Sequence, residues 1–129
     1  MATDKNEQLT PNFKRSEFAC KCGCGFDNID LRLVNMCQTI RDRIGKPIKI
    51  NSACRCAKHN AKVNGVKNST HTLGYAADLS CSVGAKVLFQ TIKDLYNEGK
   101  LPDLSYCLMY PTFCHIDCGK PRNNRFAVK

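Results

Sequence analysis

No stretch of this 129-residue chain is apolar for the length that a bilayer crossing demands, which excludes a membrane-spanning helix. The opening run, Met1-Ala2-Thr3-Asp4-Lys5-Asn6-Glu7-Gln8, has no apolar centre of the kind a secretory signal needs. The product is therefore expected in the cytoplasm as synthesised. Repeats, low-complexity tracts and linkers are also missing, which leaves no basis for a solenoid or a two-domain arrangement. Acidic residues are scarce: eleven stand against twenty lysines and arginines, for a formal net charge of +9. These cations are scattered, apart from a basic tail over 120–129, and no aromatic residues interleave with a basic face. The charge favours a polyanionic target, but nothing in it points to base recognition, and no specific nucleic-acid partner is expected.

The hydrophobic share of 43% is ordinary for a globular chain of this length, enough for one core. The expected organisation is a flexible arm over 1–12 and a single domain over 13–129, acting as a monomer. Ten cysteines are unusual in a chain expected in the cytoplasm, where thiols are usually reduced or bound to metal. Cys20, Cys22 and Cys24 form one cluster, and Cys54 and Cys56 another. Cys37, Cys81, Cys107, Cys114 and Cys118 fall in segments that read as core, where cysteine serves as a small apolar residue.

Apolar residues at Leu33, Met36, Cys37, Ile40 and Ile44 recur at helical spacing, with Asp30 as N-cap and Gly45 as stop. A short strand is expected over Ile48-Lys49-Ile50, a turn over 52–55 and a short helix over 57–63. A polar loop over 66–74 leads to a buried strand over 76–81. A second amphipathic helix over 85–97 presents Leu88, Ile92, Leu95 and Tyr96 and stops at Gly99. Two more strands, over 104–109 and 113–118, complete an α+β fold, a small antiparallel sheet with flanking helices.

The most informative pattern is Ser69-x-His71-x-x-Gly74-x-Ala76-x-Asp78, followed by His115-Ile116-Asp117. Two histidines and a carboxylate are a familiar set for a catalytic zinc that keeps one position open. Strand alternation places Ala76, Asp78 and Ser80 on one face, and Phe113, His115 and Asp117 on one face of the last strand. If those strands are neighbours, His71, Asp78 and His115 converge. A lone histidine is more often satisfied by a core hydrogen bond, and an aspartate after a glycine turn is often a cap. Against that, a carboxylate in an Ala-Ala-Asp-Leu strand is costly to bury without a partner, and a metal ion removes the cost. Zinc lowers the pKa of bound water to about 7, and amide hydrolysis then needs a proton shuttle. Asp117 can be that shuttle, or it can orient a ligating histidine.

These residues, together with the upstream run Ile50-Asn51-Ser52-Ala53-Cys54-Arg55-Cys56-Ala57-Lys58-His59-Asn60, resemble the zinc D-Ala-D-Ala carboxypeptidase superfamily. That group includes bacterial carboxypeptidases, phage endolysin endopeptidases, vancomycin-resistance dipeptidases and the hedgehog signalling domain. The resemblance implies that His71, Asp78 and His115 bind one catalytic zinc ion. It also implies that Arg55 holds a substrate carboxylate or carbonyl, a task its planar fork suits. Ser69 then binds substrate or shapes its loop, whereas His59 and Asn60 are structural. Several relatives carry an acid three positions before the last ligand, where this chain has Thr112. Cys20, Cys22, Cys24, Cys54 and Cys56 are not general to the superfamily; they form a second, structural zinc site, form a disulfide after release, or stay free.

The implied activity is a zinc metallopeptidase that cuts peptidoglycan stem peptides or cross-links once it reaches the cell wall, as carboxypeptidase or endopeptidase. The alternative is a binding module that keeps the zinc cage without hydrolysis.

Overall fold

The computed structural model describes residues 7–63, 70–119 and 124–129. Its chain order begins with a small hairpin, β1 (Gln8–Thr10) and β2 (Phe13–Lys14), and a 3-10 turn over Arg15–Phe18. Helix α1 (Leu31–Ile44), strand β3 (Ile48–Ser52), helix α2 (Ala57–Lys62) and a 3-10 turn over Thr70–Leu73 come next. Strand β4 (Ala76–Cys81), helix α3 (Ala85–Asn97), and strands β5 (Tyr106–Met109), β6 (Cys114–Asp117) and β7 (Phe126–Val128) complete the fold.

The ends of α1 follow from local chemistry. Asp30 accepts a hydrogen bond from the Arg32 backbone N–H at 2.9 Å, and Gly45 adopts φ +72°. Such a cap is worth about 1 kcal/mol, and glycine takes the left-handed stop without a steric penalty. Leu33, Val34, Met36, Cys37 and Ile40 are buried along one side. Helix α3 buries Leu88, Phe89, Ile92 and Leu95, and packs on α1, β4, β5 and β6.

The main sheet has the order β3-β4-β6-β5-β7. Its first three pairings are antiparallel, and β7 joins β5 in parallel. Register decides the two faces. Ile50 lies opposite Leu79, Ala77 opposite Ile116, and Cys107 opposite Ile116, so these side chains share the face that α1 and α3 cover. Asp78 lies opposite His115, and Ala76 opposite Asp117, on the other face. One sheet thus separates an apolar core from a polar constellation.

Two segments depart from the sequence reading. Within the stretch read as an arm, Gln8–Thr10 pairs with β2, and Arg15 bonds Glu7 at 2.9 Å; residues 1–6 lie outside the described residues. In the basic tail, Phe126–Val128 is a strand, because Phe126 packs edge-on against Phe89 and Tyr96, and the Arg125 guanidinium lies 4.8 Å from the Tyr96 ring.

Candidate metal centre

Pairing of β4 with β6 sets Asp78 and His115 face to face, with His115 Nδ1 3.1 Å from Asp78 Oδ1. His71 arrives from the 3-10 turn, its Nε2 3.4 Å from the same oxygen. Gly74 makes that approach possible. It holds φ +74°, and a β-carbon there would collide with the Asn28 carbonyl. The Gly74 carbonyl accepts from the Asp30 N–H at 2.9 Å, so the histidine turn is anchored to the start of α1.

The outer nitrogens of both rings are held by acceptors. His71 Nδ1 lies 2.7 Å from the Ala53 carbonyl, which can only accept, so Nδ1 carries the proton. His115 Nε2 lies 2.9 Å from Asp117 Oδ2. In their neutral forms the rings turn lone pairs toward the Asp78 carboxylate, itself an acceptor. Three acceptors facing one point repel one another unless a cation or a proton lies between them. Donor atoms about 2.0–2.1 Å from a tetrahedral zinc are about 3.3 Å apart, close to the two separations seen here. The donor set and its spacing fit a zinc ion.

The same crowding sets the acidities. Burial works against the Asp78 carboxylate, but hydrogen bonds and charge from His115 and His71 outweigh it and hold its pKa below the usual aspartate value. Burial likewise disfavours the His115 cation, yet Asp117 and Asp78 more than compensate and raise its pKa.

Asp117 is 1% exposed and meets the His115 nitrogen that faces away from Asp78. Its other oxygen accepts from the Ser105 hydroxyl at 2.5 Å. Arg55 is brought in by its own backbone, whose N–H donates to the His71 carbonyl at 3.0 Å. Its guanidinium donates to Asn60 Oδ1 at 2.9 Å and to Ser52 Oγ at 3.3 Å, and lies 3.6 Å from Asp78 Oδ2. A cleft of about 280 Å³ opens there, lined by Lys21, Asn51, Ser52, Arg55, His59 and Val63. Ser69 lies outside the described residues, and Thr112 is exposed in the β5–β6 turn.

Sequence reasoning missed two contributors. Ser105 and the Ala53 carbonyl carry no local signal, since each matters only through a partner distant in the chain. Asn60 sits in the motif, one turn along α2 from Cys56, but its bond to Arg55 is visible only in three dimensions. A second group that can hold a metal is Cys20, Cys22, Cys24 and Cys56. Cys54 does not join it: that thiol is fully buried in the core, and burial pushes its pKa up to about 12.

The family model for Peptidase M15 matches residues 11–117. No curated protein matches the sequence significantly.

Proposed function

From the premise that this chain belongs to the peptidase M15 family, we propose that it is a zinc metallopeptidase cutting the stem peptides or cross-links of peptidoglycan. The observation that carries this reading is the convergence of His71, Asp78 and His115 with the rear nitrogen of each ring already engaged. These three residues would hold the zinc. Bound there, the ion supplies Lewis acidity and makes hydroxide available near neutral pH.

The rest of the work falls to the protein. Ser105 steadies Asp117, and Asp117 fixes the ring plane and tautomer of His115. Of the two roles open to Asp117, its burial favours this orienting one over proton shuttling. Ser52 and Asn60 aim the Arg55 fork beside the centre, where it can grip a carboxylate or carbonyl of the bound peptide. Lys21, Arg55 and His59 line the adjoining cleft, which suits a peptide end carrying negative charge. The net charge of +9 would help the protein adsorb to anionic wall polymers after release.

The test is mass spectrometry of purified peptidoglycan treated with zinc-loaded protein. New amine and carboxylate termini are expected, and they should vanish in His71→Ala and in His115→Ala while circular dichroism stays native. Full activity in either variant would end the zinc assignment. The second reading, a zinc-bearing binding module, draws on Thr112 standing where relatives have an acid. It expects retention on peptidoglycan with no new termini.

A further inference from the structure

We infer that Cys20, Cys22, Cys24 and Cys56 hold a second zinc ion, a closed structural site that staples the N-terminal loop to the turn carrying Arg55. The sulfurs of Cys20 and Cys22 are 3.4 Å apart, those of Cys22 and Cys56 3.6 Å, and those of Cys20 and Cys56 3.9 Å. Cys24 completes the group, all four sulfurs lying within 4.8 Å of one another. A tetrahedron with Zn–S bonds of about 2.3 Å has edges of about 3.8 Å, so three corners already stand at the right spacing. An all-sulfur set with no oxygen or nitrogen donor selects a soft or borderline ion and leaves no open position for chemistry.

Backbone geometry supports the same conclusion. The Cys56 N–H donates to Cys20 Sγ and the His59 N–H to Cys56 Sγ, each at 3.4 Å, and such donors stabilise thiolate charge. Gly23 and Gly25, at φ +83° and +90°, let the Cys-Lys-Cys-Gly-Cys-Gly run curl until its three thiols face one point. That loop contains no regular helix or strand, and Cys22 and Cys24 are exposed, so apolar burial does little to order it. Disulfides would use the sulfurs in pairs and give no reason for four to gather.

The location links this site to the first. Cys56 follows Arg55 directly and caps α2, which carries His59 and Asn60. Lys21 lies between two of the cysteines and lines the cleft with Arg55. An ion here fixes both walls of that cleft.

Metal content and thiol chemistry of the purified full chain test the assignment. We expect two zinc ions per chain in wild type, one in Cys22→Ser/Cys24→Ser and one in His71→Ala/His115→Ala. Cobalt loaded into the histidine variant should show an intense thiolate-to-metal charge-transfer band, a readout that survives if the serine variant fails to fold. Cys22 and Cys24 should resist iodoacetamide until a chelator is added. A wild type with a single zinc that disappears with the histidines overturns the site, as does a mass lowered by paired thiols or rapid alkylation of zinc-replete protein. A single zinc lost only with the cysteines would instead uphold this site and sink the proposal for the first one.

Discussion

His115 and Asp117 are two residues apart on one strand, and the second holds the first: Asp117 Oδ2 lies 2.9 Å from His115 Nε2, while Asp117 Oδ1 takes the Ser105 hydroxyl. Alternation along β6 puts both side chains on the sheet face opposite the core. The aspartate therefore reaches the far nitrogen of the ring and leaves Nδ1 directed at Asp78.

Asp117→Asn tests what that contact does. The amide keeps the volume but loses the charge that favours a protonated Nε2 and raises ligand basicity. Zinc affinity should fall about 10–100-fold, as for other partners of metal-bound histidines. Competition against a chromophoric chelator measures it. A residue that only moved protons would behave differently: activity would collapse with zinc affinity unchanged.

Arg55→Lys separates geometry from charge. The guanidinium spans Ser52, Asn60 and Asp78 at once, and a lysine ammonium has no planar fork with which to do so. If Arg55 grips the substrate equally in ground and transition states, KM should rise by about 10-fold or more with kcat little changed. Steady-state kinetics on a defined stem peptide decides this, and a loss confined to kcat would assign the arginine to the transition state instead.

The sequence made some of this legible for identifiable reasons. Asp30 and Gly45 are local signals, so α1 was readable to its ends. The alternation in Ala76–Cys81 and Cys114–Asp117 gave the faces, and with them the meeting of Asp78 and His115. Strand β7 was not readable, because three residues in a basic tail become a strand only by pairing with β5 and packing on α3. The cysteines divided in an unforeseen way. Cys54 and Cys56 are two apart, but the chain turns between β3 and α2 and sends one thiol into the core and the other to the loop. Ser105 could not be identified from its neighbours, since its importance comes entirely from β6.

Gly74→Ala should damage the site by way of the fold. The position needs a left-handed backbone, and the added carbon meets the Asn28 carbonyl, which the start of α1 cannot readily move. The cost should exceed about 1 kcal/mol, lowering Tm by about 4 °C or more. Gly45→Ala is the control. Its φ is also positive but the space around it is open, so only the backbone strain is felt and the loss should be smaller. Differential scanning calorimetry compares the two, and equal losses would mean that the collision is relieved at little cost.

Removing the metal should expose an opposed pair of titrations. Asp78 has its pKa lowered in the fold, so its contribution is present above the unfolded value of about 3.9 and is lost as pH falls through the lower folded value. His115 has its pKa raised, so its contribution is complete below the unfolded value of about 6.5 and is lost as pH rises through the higher folded value. From this pair the chelated protein should be most stable between about pH 4 and 6.5. Zinc needs a neutral imidazole, so it competes with the proton that His115 gains there, and the stabilisation it adds should grow as pH climbs past that window. Thermal melts from pH 5 to 8.5, with and without chelator, measure the difference, and the same melts of His71→Ala/His115→Ala subtract what the cysteine site contributes. The metal-free curve should decline above about pH 6.5 while the zinc curve stays level or rises. Parallel curves would mean that His115 does not exchange a proton for the ion, and the centre would then have to be built from other ligands.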